Sequence, residues 1–200
     1  RRYASPSQLA DRTFGPAPSP LARVEGLGRY RRGELIHRLL QLLPDVPAAE
    51  RRQAAARMLD RERDLTGPQR AEMLAAAFGV LDDARFADVF GPGSRAEAAI
   101  GGTSRRLPAG LAVSGRVDRL LVAAERVLVV DFKTNRPAPA DIAEADPAYL
   151  IQMAVYVAVL EEIFPGRRVE AALVWTDGPR LMPVPENIVA ATLARLSAPH

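Results

Sequence analysis

Three side chains in this sequence have the types and spacing to do chemistry together: Asp118, Asp131 and Lys133. Asp131 closes an unbroken apolar run, Val127 to Val130, of the kind that fills a central strand buried on both faces. Because side chains alternate along a strand, Asp131 and Lys133 are predicted on one face and Val130 and Phe132 on the other. An acid and a base then leave the core side by side. Leu111 to Leu121 reads as the hairpin partner, and a tight turn at Ala124-Glu125 sets Asp118 directly opposite Asp131. That turn lacks Asn-Gly, so a slip of one residue in register stays open. In this pairing two carboxylates share a face with Cβ atoms about 5 Å apart, which is destabilising unless something lies between them. A divalent cation is the natural occupant. The alternative, in which the acids pair with Arg116, Arg119 or Arg126, is left open by the sequence.

Composition sharpens the reading of Lys133. The chain has 27 basic residues, and all but Lys133 are Arg. Arg presents a broad, permanently charged fork, whereas Lys is a point charge able to hold a water or a phosphate oxygen. The net charge of +3 permits nucleic-acid binding without demanding it. With no cysteine, disulfides, structural Cys-zinc sites and iron-sulfur clusters are excluded. No phosphate-binding G-x-x-x-x-G-K-[ST] loop occurs, so no motor of that class lies in these residues. Neither a membrane span nor a secretory signal is visible.

The elements that must position these groups follow in order. Residues 1–25 carry four prolines and little periodicity, and are expected to be a linker or surface arm. Gly26 to Leu43 is predicted helical, with Leu35, Ile36, Leu39, Leu40, Leu42 and Leu43 on an apolar stripe and Gly33 and His37 off it. Pro47 to Asp64 and Gly67 to Asp83 are two further helices, the first with a mixed-charge face that reads as solvated. A short helix near Ala84 to Phe90 ends at Gly91-Pro92-Gly93, and Ser94 to Gly101 is a weak first strand. After the hairpin, Pro147 to Phe164 is a helix apolar on nearly all sides, hence packed on the sheet, with Gln152 and Tyr156 four apart on one face. Arg168 to Thr176 is a strand, Pro179 to Val184 a short one, and Glu186 to Leu196 the last helix. The order predicts an α/β domain with an antiparallel hairpin and a crossover helix leading to a parallel strand.

Asp118 in GRVDRL, Asp131 and Lys133 in VVDFKTNRP, Gln152 and Tyr156 as Q-x-x-x-Y, and Gly33 and His37 as G-x-x-x-H occur in this sequence in a specific combination. It resembles the nuclease domain of the RecB and AddA helicase-nucleases, in the PD-(D/E)XK superfamily, and is most similar to that of AddA. The resemblance implies a restriction-endonuclease-like core over residues 26–200, with residues 44–90 as a helical insertion. It implies catalytic roles for Asp118, Asp131, Lys133, Gln152 and Tyr156. Mg²⁺ would be held by His37, Asp118, Asp131 and the backbone carbonyl of Phe132; a His ligand suits Mn²⁺ as well. Without cysteine no iron-sulfur cluster is expected, which fits the AddA branch better than AddB. Glu97 resembles an acid that often opens the sheet, with a structural salt bridge as its alternative. Thr134 and Arg136, in the turn after the strand, are expected at DNA phosphates or simply to close the loop.

The function so implied is metal-dependent exonuclease-type hydrolysis of DNA, on single strands from unwound duplex, during processing of double-strand breaks for recombination repair. A helicase portion of the same polypeptide and an AddB-type subunit are the implied partners, in the cytoplasm and away from membranes. The chain starts at Arg1, and is expected to be a piece of something longer. The rival reading is a nuclease-like module that binds DNA or a partner without cutting; intact Asp118, Asp131 and Lys133 argue against it.

Overall fold

A computed structural model of the chain describes residues 2–6, 9 and 29–198. The described residues form a mixed six-stranded sheet between two helical layers, the α/β class expected. Strand β1 (Arg2–Ala4) is followed by helices α1 (Arg29–Leu42), α2 (Arg51–Asp60) and α3 (Gly67–Leu81), and a 3-10 turn over Ala84–Phe90. Then come β2 (Ser94–Gly102), β3 (Leu111–Val122), β4 (Arg126–Lys133), α4 (Pro147–Ile163), β5 (Arg168–Trp175), β6 (Arg180–Val184) and α5 (Glu186–Ser197).

Local chemistry starts the helices where the sequence says. Thr66 and Gln69 close a reciprocal capping box ahead of α3, the Thr66 N–H donating to Gln69 Oε1 at 2.8 Å. Asp146 caps α4 by accepting from the Ala148 N–H at 2.9 Å, and Pro147 sits in its first turn. The predicted stripe of α1 is buried at Leu35, Ile36, Leu39, Leu40 and Leu43, each at most 3 % exposed. Fully burying such a side chain stabilises by about 1.5–3 kcal/mol, so this face anchors the helix that carries His37. Leu42 departs from expectation and is 43 % exposed, because it turns off the arc shared by its neighbours.

Strand β4 lies inside the sheet, antiparallel to β3 and parallel to β5, which α4 reaches as the crossover. Its alternation divides two cores. Val127 and Val129 pack with α4 and α5; Leu128, Val130 and Phe132 pack with α1 and α3. The two-residue turn at Ala124-Glu125 forms as expected, and the hairpin pairs Arg119 with Val130 and Val122 with Val127. Arg2–Ala4, inside the stretch expected to be a linker or arm, instead pairs in parallel with Leu111 to Val113. Residues 10–28, the bulk of that stretch, lie outside the described residues. Among the described residues no helix is long and apolar enough to cross a membrane.

Candidate active site

The site grows from an interruption in the edge of β3. One edge pairs with β2 along Val113 to Leu121. The other is taken by β1 at Leu111 to Val113 and by β4 at Arg119 to Val122, so residues 114–118 have no strand partner there among the described residues. The ladder with β4 therefore stops one pair short of Asp118 and Asp131. In its place the Phe132 N–H donates to Asp118 Oδ2 at 2.7 Å, a side chain standing in for a backbone acceptor. The register expected from the turn is present, but the two acids do not face each other across a regular ladder. Alternation also slips here: Val117 packs on the α4 side, whereas Leu121 packs on the α1 side. Glu97, aligned with Asp118 across β2, has the left-handed φ of 52° that accommodates the slip.

Asp118 reaches toward α1, where His37 Nδ1 lies 3.4 Å from Oδ2. Burial alone would lower the His37 pKa, but the hydrogen bond and charge of Asp118, with Asp131 behind it, outweigh burial and raise it. Gly33, one turn before His37, is buried against the end of β4; a Cβ there would stand 2.8 Å from Thr134 Oγ1. Thus glycine lets the His37 helix approach the strand that carries Asp131.

On the α4 side, Asp131 Oδ2 meets Lys133 Nζ at 2.5 Å, and both side chains are about nine-tenths buried. Lys133 Nζ also donates to Gln152 Oε1 at 3.2 Å and sits 3.7 Å from the centre of the Tyr149 ring. Burial raises the Asp131 pKa, and Asp118 adds to this; Lys133 and His37 oppose it without prevailing. Tyr156 donates to the Arg116 carbonyl at 2.9 Å, inside the interruption of β3. Burial first, and then the charge of Asp131, push its pKa up to about 12, so it is a neutral donor at ordinary pH. A Cβ on Gly115 would fall 2.8 Å from the Tyr156 hydroxyl. Tyr156 is accordingly a positioning residue that holds β3 from behind.

None of the three arginines weighed as alternative partners takes the acids. Arg116 pairs with Glu97 at 3.6 Å, and Arg126 pairs with Asp88 and Glu170. Arg119 is buried over Phe90. Glu97 thus has the salt-bridge partner of its alternative reading. Arg136, expected at DNA phosphates, is bonded to Glu72 and lies 3.3 Å from Asp177. Arg32 donates to the Thr134 carbonyl at 2.7 Å and joins Glu72, so the turn after β4 is closed by intramolecular pairs.

The donor set fits a hard divalent cation chemically: two carboxylates and an imidazole, with one carboxylate buried more deeply than its lysine compensates. As they stand, no three His, Asp or Glu side chains among the described residues converge to hold an ion, since Asp131 is turned to Lys133. A separate cavity of about 580 Å³ opens at the opposite end of β4, by Arg126 and Arg168, remote from these groups.

The family model of the PD-(D/E)XK nuclease superfamily matches residues 11–191. The chain belongs to this superfamily. No curated protein matches the chain. A solved structure described as "Crystal structure of SSO0001" aligns over 95 % of this chain and 81 % of its own, with 12 % identity and a TM-score of 0.32.

For a PD-(D/E)XK chain, the residues singled out from sequence fall into one neighbourhood: His37, Asp118, Asp131, Phe132, Lys133, Gln152 and Tyr156. Sequence reasoning missed Tyr149, whose ring meets the lysine. The signal was present, because Tyr149 lies three residues before Gln152 on the same face of α4. It also missed Gly115, whose need for close approach shows only once Tyr156 is packed against it.

Proposed function

We propose that the chain is a metal-dependent DNA nuclease of exonuclease type, and that His37, Asp118, Asp131 and the Phe132 carbonyl hold Mg²⁺ or Mn²⁺. The observation that carries this reading is the contact of the chain's single lysine with buried Asp131 at 2.5 Å, next to the His37–Asp118 pair. When bound, the cation supplies Lewis acidity and lowers the pKa of a coordinated water. Everything else falls to the protein. Asp118 and Asp131 concentrate negative charge at the end of β4. Lys133, on a short leash between Asp131 and Gln152, supplies the ammonium that orients a water or meets charge growing on a phosphate oxygen. Gln152 fixes that ammonium, and Tyr156 fixes the β3 segment behind Asp118.

The combination of G-x-x-x-H, GRVDRL, DFK and Q-x-x-x-Y supports the finer reading of an AddA-like nuclease domain in a helicase-nuclease that processes double-strand break ends for recombination repair. A helicase portion, an AddB-type subunit, DNA strands from unwound duplex and a cytoplasmic setting go with it. Thr134 and Arg136 are proposed DNA contacts; for Arg136, phosphate replaces Glu72 or Asp177 as its anionic partner.

The test is cleavage of a labelled single strand with Mg²⁺ or Mn²⁺. Asp118→Ala, Asp131→Ala and Lys133→Ala each lose it while retaining the wild-type circular dichroism spectrum. Cleavage retained in any of the three removes the mechanism. Calorimetric Mn²⁺ uptake separates this from a binding-only scaffold, which takes up none.

A further inference from the structure

The lysine at the end of β4 is met by one more side chain than the proposed chemistry uses. Lys133 Nζ stands 3.7 Å from the centre of the Tyr149 ring, over its face. The approach is built into the start of α4. Asp146 caps the helix, Pro147 sets its first turn, and the Tyr149 N–H donates to the Asp146 carbonyl at 2.9 Å, so the backbone that carries the ring is fixed. Three residues on, Gln152 lies on the same helix face and offers Oε1 to the ammonium at 3.2 Å. On the sheet side the Lys133 carbonyl accepts from the Thr176 N–H at 3.0 Å, which fixes the root of the lysine.

An ammonium carries three donors on a flexible four-carbon stem. For Lys133, Asp131 Oδ2 takes one at 2.5 Å and Gln152 takes a second, while the negative face of the ring attracts the charge as a whole. That attraction reaches about 6 Å and is strongest where water is excluded. At 3.7 Å, with the lysine side chain 10 % exposed, Tyr149 meets both conditions. The three contacts do not fare alike once a cation binds. On the proposed function the cation claims Asp131 and frees the ammonium from its shortest bond. Gln152 by itself leaves the nitrogen to pivot about one hydrogen bond. A hard cation takes oxygen ligands and has no use for a ring face, so the hold of Tyr149 is the one it does not contest.

We propose that Tyr149 is a positioning residue for the reaction: its ring keeps the Lys133 ammonium beside Gln152 once Asp131 is engaged, where charge grows on a phosphate oxygen. This rests on the proposed nuclease function. The ring acts through Lys133 and touches neither strand nor cation, so it works on the transition state and not on substrate binding. A ring that merely filled space against the core would be replaceable by any side chain of its shape.

Lys133 is the chain's only lysine, so selectively labelled lysine gives a single side-chain signal in NMR spectra of the 200-residue chain. In EDTA the ε-methylene resonance lies upfield, as ring current over an aromatic face dictates; saturating Mg²⁺ leaves it upfield, and Tyr149→Leu abolishes the shift in both conditions. Mg²⁺-dependent cleavage of a labelled single strand is then followed for Tyr149→Phe and for the same substitution carrying one, two and three ring fluorines, which drain the face of negative charge at nearly constant shape. Tyr149→Phe keeps kcat within about twofold of wild type. The fluorines lower it stepwise, by about 2- to 30-fold in all, with KM unchanged. A kcat indifferent to the fluorines, a loss confined to KM, or an upfield shift that is absent in EDTA or lost with Mg²⁺ overturns the proposal. A wild-type chain that cuts nothing with Mg²⁺ or Mn²⁺ overturns the nuclease reading, and this role falls with it although the shift in EDTA stands. Cleavage that ignores the fluorines removes the role of Tyr149 alone.

Discussion

Replacing Asp118 in two ways separates its structural work from its chemical work. Its Oδ2 accepts the Phe132 N–H at 2.7 Å, where the β3–β4 ladder has ended and Phe132 is 3 % exposed. Asn at this position keeps an acceptor but loses the charge; Ala loses both and orphans a buried N–H. An unsatisfied buried group costs about 1–3 kcal/mol. For a chain of this size each kcal/mol moves the midpoint by about 2–4 °C, so Asp118→Ala should melt about 2–12 °C below Asp118→Asn. The comparison uses the two variants, because both remove the repulsion between Asp118 and Asp131 and that effect cancels. The assay is thermal unfolding in EDTA, with Mg²⁺-dependent cleavage of a single strand measured in parallel. Both variants lose cleavage, since neither offers a carboxylate to a cation. Equal melting of Ala and Asn would refute the claim that this side chain takes over from the ladder. Cleavage by Asp118→Asn would refute the cation role.

Lys133→Met abolishes cleavage yet binds Mn²⁺ at least as tightly as wild type by calorimetry, because it removes the ammonium that competes for Asp131 at 2.5 Å; weaker uptake contradicts this. Gly115→Ala drives a Cβ to 2.8 Å from the Tyr156 hydroxyl and costs about 1–3 kcal/mol by urea unfolding; Tyr156→Phe in the same chain recovers part of it, and simple additivity of the two counts against the contact. Arg119→Met stabilises by about 1–3 kcal/mol, since Nε and Nη1 are buried without acceptors among the described residues and burial already lowers the guanidinium pKa despite Asp45; a lower urea midpoint refutes it. Glu72, drawn below the ordinary carboxylate range by Arg32 and Arg136 against the opposing effect of burial, stabilises above its unfolded pKa of about 4.5 and loses that as pH falls through its lower folded value. Being partly exposed, it contributes about 1 kcal/mol or less, so Glu72→Gln melts below wild type at pH 7 and the gap closes under acid; a gap that grows under acid has the wrong sign.

What the sequence disclosed was local or periodic. The run Val127 to Val130 marks a doubly buried strand because both faces need apolar residues, and a two-residue turn fixes its register with β3. The stripe on α1 and the all-apolar α4 follow from helical period in the same way. What stayed hidden depends on partners far along the chain. Arg2–Ala4 is too short for any period to show, and its partner strand begins at Leu111. Nothing near Arg136 announces that Glu72 and Asp177 will claim its guanidinium. That the buried Trp175 indole N–H has no partner among the described residues is likewise a property of packing alone.

The interruption in β3 links these observations. On a regular ladder Asp118 and Asp131 would stand about 5 Å apart on one face, with repulsion that only a bound ion relieves. Slipping the alternation at Asp118, opposite the left-handed Glu97, turns one acid toward the Phe132 N–H and His37 and leaves the other with Lys133. Each carboxylate then has a partner within the protein, and for Asp131 that partner does not outweigh burial. On the proposed function, a cation would have to displace these protein partners to bind. Lys133 would be the partner displaced from Asp131, and would then stand beside Gln152 to act on a water or a phosphate oxygen. The proposed function would thus give one ammonium two successive roles, for which a compact, movable lysine is suited where arginine's broad fork is not.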